Sequence, residues 1–393
     1  MKKLLILTFF AIVVLPKIGE VKGGPMPKPA DILRVMHLTN DYFIQKHPDP
    51  TTPTFVKKER PSNLWTRGVY FEGLCALNAL DPQERNIDYV TRWAQFHAFT
   101  PRNGITTRDA DDYCCCQTYL QLYLDSLETA GPPLFNMHMI LPTIRCMENL
   151  IANDTVGDWT WIDAIQMGLP VLTKLSLVRD LNGEEDASRY SEMGYKMYAY
   201  TRDTIGGGLL NKYEGLWWRD ADFVPPYKEP NGKNCYWSRG NGWVYAALVR
   251  AMSDAMESSA VTHFKDYKAD FLLMSEALLK CQRKDGFWNV SLHDGSHFGG
   301  PELTGTALFI YGMAWGVRHG ILPEKPYLKV IAKTWKAMVK KCVDKDGRLG
   351  FVQGTGKEPK DSQPVTFTSE PDFDDFGLGC FLLAASEVYQ LAK

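Results

Sequence analysis

The densest chemistry in the chain lies in the run Tyr236-Trp237-Ser238-Arg239-Gly240-Asn241-Gly242-Trp243. Trp gives a flat apolar face, and Arg gives a planar fork of donors that matches a carboxylate. Glycines let a backbone come close to a ligand. Together these groups suit a sugar ring that carries an acid. The same run also reads as a buried Trp cluster whose Arg is satisfied by helix carbonyls, because most Trp side chains are core. Three further junctions hold candidate groups. In Trp159-Thr160-Trp161-Ile162-Asp163-Ala164 one acid lies beside two Trp. Such a carboxyl either caps a helix or, with its pKa raised by an apolar setting, donates a proton near neutral pH. Arg108-Asp109-Ala110-Asp111-Asp112-Tyr113 brings three acids to a helix start, where Asp109 and Asp111 read best as caps that meet the helix dipole. In Pro301-Glu302-Leu303-Thr304-Gly305-Thr306-Ala307 the residues are small or carry hydroxyls. Thr304 and Thr306 there either line a sugar site or cap a helix.

The elements that must position these groups are helical. Ile32, Val35, Met36, Leu38, Tyr42 and Phe43 give a first apolar face at the 3.6-residue period. Further helices are expected over 64–80, 87–99, 112–127, 135–151, 162–178, 187–202, 242–256, 267–280, 305–319, 327–343 and 376–391. The helix over 162–178 should kink near Gly168 and Pro170. That makes about twelve helices with no strand series. Between them, Lys284-Asp285-Gly286-Phe287-Trp288, Lys345-Asp346-Gly347-Arg348-Leu349 and the stretch from Asn211 to Trp218 read as tight turns or short hairpins. Trp65-Thr66-Arg67-Gly68 echoes Trp237-Ser238-Arg239-Gly240, as repeated helix pairs around a ring would. No Pro/Ser-rich linker splits the chain. The favoured architecture is a single all-α toroid of six helical hairpins over residues 24–393, with two separate helical domains as the weaker alternative.

Whole-chain properties narrow the function. Apolar residues make up 45% of the 393 and aromatics 12%, which is ample for a large core. Formal net charge is -2 and no long basic block occurs, which argues against a nucleic-acid partner. Lys2 and Lys3 precede an apolar run over 4–15 that Pro16 and Lys17 break. This is the secretory pattern, too short to span a bilayer. Residues 1–23 are therefore expected to be a signal segment and the protein exported, with the periplasm favoured; no other stretch is apolar enough for a membrane span. The nine Cys are an odd number, and Cys114-Cys115-Cys116 point in different directions on a helix. CxxC and HExxH are absent and the eight His are scattered. The cysteines read as small buried apolar residues, and no metal or cofactor is expected.

Asp111-Asp112-Tyr113 with Gln117-Thr118-Tyr119, Trp161-Ile162-Asp163, the Trp237–Trp243 run and Glu302-Leu303-Thr304-Gly305-Thr306-Ala307-Leu308-Phe309 resemble the unsaturated rhamnogalacturonyl hydrolases of glycoside hydrolase family 105. The unsaturated glucuronyl hydrolases of family 88 look like more distant kin. The likeness runs from about residue 30 to Lys393, and the W-x-R-G-N-G-W run is its most specific part. It implies an (α/α)6 barrel and a substrate with a 4,5-unsaturated uronic acid at its non-reducing end, as a polysaccharide lyase leaves. The implied chemistry is hydration of an enol ether: an acid protonates C4, water adds at C5, and the hemiketal opens. By motif, Asp163 would be the acid/base and Asp112 the second acid. Trp237, Arg239, Asn241 and Trp243 would surround the unsaturated sugar, with Thr304 and Trp218 beside it. The chain departs from the pattern at Arg219, where many members carry His. A cation there would suit a carboxylate or sulfate on the neighbouring sugar, which leaves the aglycone open among rhamnogalacturonan, arabinogalactan-type glucuronides and sulfated uronides.

Two other classes compete. A polysaccharide lyase or inverting glycosidase on the same toroid would need a base such as Tyr236 or His297. A non-catalytic exported sugar-binding protein would use Asp163 and Asp112 only as caps.

Overall fold

Inner and outer helices differ in sequence before they differ in place. The computed structural model describes residues 26–129 and 136–393. The expected signal segment over 1–23 and the expected helix start at 135 lie outside those residues. In chain order the helices are α1 (Pro29–Lys46), α2 (Trp65–Leu80), α3 (Glu84–Phe96), α4 (Ala110–Tyr113), α5 (Cys116–Thr129), α6 (Leu141–Ala152) and α7 (Asp163–Leu181). They continue as α8 (Ser188–Asp203), α9 (Ser238–Glu257), α10 (Phe264–Cys281), α11 (Leu303–Arg318), α12 (Glu324–Cys342) and α13 (Phe376–Ala392). Two small antiparallel hairpins complete the elements, β1 (Thr54–Val56) with β2 (Lys58–Arg60) and β3 (Leu210–Asn211) with β4 (Leu216–Trp217).

Helices α7, α9, α11 and α13 are apolar or small almost all round and buried along most of their length. A helix of that kind needs neighbours on every side. They find them in a closed circuit: α2 packs on α13, α13 on α11, α11 on α9, α9 on α7, α7 on α4 and α5, and α5 back on α2. The outer helices are amphipathic. In α3, Asn86, Tyr89, Val90, Trp93 and Ala94 are buried on one stripe, and in α12 the stripe is Tyr327, Ile331, Thr334, Trp335 and Met338. Helices α3, α8, α10 and α12 cover α2, α7, α9 and α11, α1 covers α13, and α6 lies against α8. This is the (α/α)6 toroid. Every inner helix follows an outer one, so the inner helices run parallel and begin at the same end.

Three local expectations change. Asp163–Leu181 is one uninterrupted helix despite Pro170. Proline has no N–H, so the carbonyl four residues back loses its partner. Here Gln166 is that residue, and the Gln117 side chain donates to its carbonyl at 2.8 Å. Gly168 leaves room for Trp159, which would collide with any Cβ there. Second, the run from Ser238 to Trp243 is not a loop before a helix but the first turns of α9 itself. Its Gly242 allows close packing, since a Cβ would lie 2.9 Å from Leu308 Cδ1 and 3.4 Å from Gly305 Cα. Third, the fourth expected helix divides into the single turn α4 and the longer α5. The Asp-Gly turns do form, with Gly286 and Gly347 both at φ 98°, where glycine is favoured.

Candidate active site

Because the inner helices are parallel, the N-termini of α2, α4, α7, α9, α11 and α13 meet at one end of the barrel. Each contributes the positive end of a dipole, although carboxylates already cap α4, α11 and α13. That end favours an anion before any side chain is considered.

Asp163 is the first residue of α7. The segment after β4 lies beside it: Ile162 N–H donates to the Arg219 carbonyl at 2.9 Å, and Trp161 bridges Asp220 in antiparallel fashion. This places the Arg219 guanidinium on two acids, with Nε donating to Asp163 Oδ2 at 3.2 Å and Nη1 to Asp220 Oδ2 at 2.7 Å. Burial pushes the Asp163 carboxyl up from the usual carboxylate range, with Arg219 and Arg239 pulling the other way. Arg219 is itself held charged by Asp163 and Asp220, which outweigh the effect of its burial.

The three acids of the Arg108–Tyr113 junction divide their roles differently from the sequence reading. Asp109 is the cap, accepting from Asp111 N–H at 3.0 Å. Asp112, the expected second acid, is buried: Asn103 Nδ2 and Thr107 Oγ1 donate to Oδ2 at 3.0 and 2.5 Å, while Oδ1 lies 2.5 Å from Arg102 in an ion pair without a hydrogen bond. It ties down the loop before α4. Asp111 is half-buried and close enough to Asp163 and Arg219 to feel both charges. Burial, with the negative charges of Asp109 and Asp163, pushes its carboxyl up to about 7, against the pull of Arg102 and Arg219. The signal that would have separated the neighbours is Arg102-Asn103, a donor pair one loop upstream of the acids.

The W-x-R-G-N-G-W residues form the wall behind these groups. Arg239 is 1% exposed and donates to the carbonyls of Gln353 and Gly354 at 2.6 and 2.7 Å, stacked over Trp237 and Phe376. The carbonyls that satisfy this Arg belong to a distant loop and not, as expected of a buried Trp cluster, to a helix. Trp237 Nε1 donates to Gln353 Oε1 at 2.9 Å. Asn241 clamps β4, accepting from Trp217 N–H at 2.8 Å and donating to the Trp217 carbonyl at 3.0 Å. It thereby fixes the strand whose next two residues are Trp218 and Arg219. Trp243 is fully buried and meets Trp65 edge-on at 6.2 Å. Thr304 is buried too, because the α11 cap is Glu302, whose carboxylate accepts from Thr304 N–H and Oγ1 at 2.8 and 2.6 Å. Asn241, Trp243 and Thr304 are thus buried braces within the protein. The aromatic surface that stays partly open at this end is Trp65, Trp161 and Trp218, the last lying against Tyr236 at 5.8 Å.

Residues 35–392 match the family described as Glycosyl Hydrolase Family 88. The chain belongs to this family. Two curated proteins named "Unsaturated 3S-rhamnoglycuronyl hydrolase" are similar to it. One, from Formosa agariphila, is 34% identical over 84% of this chain and 85% of its own; the other, from Alteromonas sp., is 31% identical over 84% and 78%. Among solved structures, a glycosyl hydrolase family 88 protein from Bacteroides vulgatus superposes with a TM-score of 0.79 at 27% identity, covering 93% of this chain and 100% of its own. A protein named as a polysaccharide lyase superposes with a TM-score of 0.78 at 28% identity, covering 92% and 97%. As a family 88 member, the chain is a glycoside hydrolase.

Proposed function

We propose that this enzyme removes a 4,5-unsaturated uronic acid from the non-reducing end of a lyase-cut oligosaccharide, and that the next sugar is a 3-sulfated rhamnose. The observation that carries the uronate is a carboxyl with a raised pKa, Asp163, set beside a partly exposed Arg219 where the inner helix N-termini converge. The helix ends and Arg219 attract the carboxylate of the sugar, and Asp163 supplies a proton. The proton goes to C4, and the π electrons of C4=C5 form the new C–H bond. Positive charge at C5 is shared with the ring oxygen. Water adds there and returns a proton to Asp163, and the hemiketal opens to release the shortened chain. The rhamnose rests on the shared name of two relatives at 34 and 31% identity. The partly open Trp218 ring beside Arg219 offers a face for a methyl-bearing sugar.

The lyase alternative needs a free base. Tyr236 donates its hydroxyl to Glu214 and accepts from Asn211 and Asn234, and burial with the Glu214 charge raises its pKa further. His297 is bound to Glu229. Neither is poised beside Asp163. The lysine-led apolar run at the start of the chain supports export, with the periplasm as the place where such a lyase product is met.

The test follows the ultraviolet absorbance of the C4=C5 bond with purified protein and lyase-generated disaccharides. Loss of absorbance with a 3-sulfated rhamnose aglycone, at least about tenfold faster than with the desulfated one, is expected, a difference of about 1.4 kcal/mol in the barrier. Equal rates would remove the sulfate from the proposal, and unchanged absorbance with every unsaturated uronide would remove the reaction.

A further inference from the structure

Arg219 and Asp163 pose a conflict. A general acid must carry its proton, yet a guanidinium in contact with a carboxyl favours the ionised form. The contact that creates the conflict is also the weaker of the two that Arg219 makes. Its bond to Asp163 is 3.2 Å and engages Nε alone, beyond the usual length for charge-assisted pairs, whereas its bond to Asp220 is 2.7 Å. Nη2 has no protein partner among the described residues. The other cations near the acids are committed, Arg239 to two loop carbonyls and Arg102 to Asp112, and their unpartnered Nε atoms are buried out of reach. Arg219 is therefore the cation with part of its fork free for an incoming carboxylate, and Asp220 anchors it while it turns.

We propose that Arg219 is a positioning residue shared between Asp163 and the substrate: it holds Asp163 ionised in the empty site, and the uronate carboxylate draws it away, so that substrate binding itself loads Asp163 with the proton it delivers to C4. This rests on the unsaturated-uronate reading. The charges balance. The substrate brings one negative charge to Arg219, Asp163 takes up one proton from solvent, and product release returns both. The groups that bear on Asp163 are Arg219 and Asp220 from the segment after β4, Arg239 from α9, and Asp111, Asp109 and Arg102 from α4 and its loop. Of these, Arg219 is both in hydrogen-bond contact with Asp163 and partly exposed.

Two measurements test the device. The first is calorimetric titration with a saturated glucuronide disaccharide, which cannot be hydrated, in buffers of different ionisation enthalpy. The wild-type protein should take up close to one proton per ligand near neutral pH, and Arg219→Gln and Asp163→Asn should take up none. Binding without proton uptake by the wild type, or uptake that persists in Asp163→Asn, overturns the proposal. The second is the pH dependence of turnover. The alkaline limb of kcat/KM reports the free enzyme and that of kcat the complex. Asp163 must be protonated, so in the wild type the kcat limb should lie at higher pH, by about one to three units, the usual effect of a neighbouring Arg. In Arg219→Gln the two limbs should coincide and KM should rise, while Arg219→Lys should restore part of the separation. Coincident limbs in the wild type, or a wild-type separation in Arg219→Gln, overturn it as well. Consumption of unsaturated disaccharide by the wild type decides the uronate reading on its own, so turnover without proton uptake removes the switch and leaves the reaction standing.

Discussion

Two acid–arginine pairs sit at different depths of the barrel and do different work. At the end where the inner helices start, Asp163 and Arg219 are 12% and 20% exposed, and the cation is divided with Asp220. Further down the inner helices, Glu72 of α2 meets Arg250 of α9 at 2.9 Å, with the carboxylate 1% exposed. Gln166 and Cys114 also donate to Glu72, and Arg250 donates to Gln117. A cavity of about 230 Å³, lined in part by Glu72, Gln117, Lys174 and Arg250, lies beside this pair. With its carboxylate held by three side chains, the lower pair fixes how α2, α5, α7 and α9 register against one another. The upper pair is loose, lopsided and open on one side. An ion pair becomes chemistry where its partners are incompletely satisfied.

Breaking the upper pair should have the largest effect. Asp163→Asn is expected to lower kcat by about 100- to 10,000-fold, the usual contribution of a positioned acid. The fold should suffer little: the amide keeps the shape of the carboxyl, and Arg219 keeps Asp220 as its partner at 2.7 Å. Rate measurements with thermal melts separate the two outcomes. A variant that turns over at more than about a tenth of the wild-type rate would take the proton donor away from Asp163.

Breaking the lower pair should cost stability instead. Arg250→Met leaves Glu72 charged and without its cation, which for a buried pair costs about 3–5 kcal/mol. Burial already raises the Glu72 pKa, with Arg250 opposing it. Removing Arg250 raises it further. A carboxyl with a folded pKa above its unfolded value favours the fold below the unfolded pKa and disfavours it progressively as pH rises through the folded one. The deficit of Arg250→Met should therefore be greatest above neutral pH and shrink as the pH falls towards the ordinary glutamate range. Denaturant titrations across that range measure it, and a pH-independent deficit would mean that Glu72 does not carry the charge.

The contrast also explains what the sequence made legible. The toroid was readable because inner and outer helices carry different patterns, apolar all round in α11 and α13 and one-sided in α3 and α12. Asp163 was readable because it stands between Trp residues at a helix start. The braces were not. Arg239, Asn241 and Thr304 look like ligand contacts by type, but their partners are Gln353, Trp217 and Glu302, and the first two of these are distant along the chain. Residue type says which hydrogen bonds a side chain can make, whereas topology decides whether protein or ligand makes them. The Pro170 kink failed for the same reason, since the donor that replaces the missing N–H comes from α5.

The smallest expected difference is also the sharpest, because it separates adjacent residues. Asp112→Asn removes a charge from a carboxylate engaged by Arg102, Asn103 and Thr107. It should cost about 1–3 kcal/mol, the range for leaving a buried polar group imperfectly paired. Asp111→Asn should cost the fold little or stabilise it, because it removes a carboxyl that burial and the charges of Asp109 and Asp163 disfavour. The sign follows from its pKa of about 7 in the folded protein. Between the ordinary aspartate range and that value the folded state binds more protons than the unfolded one, so wild-type stability falls as the pH rises through the interval. Asp111→Asn abolishes that fall and Asp112→Asn preserves it. Parallel melts of the two variants from acid to neutral pH decide the matter. Identical pH dependence in both would mean that Asp111 does not feel the Asp163 charge and that the division of labour between the two acids is wrong.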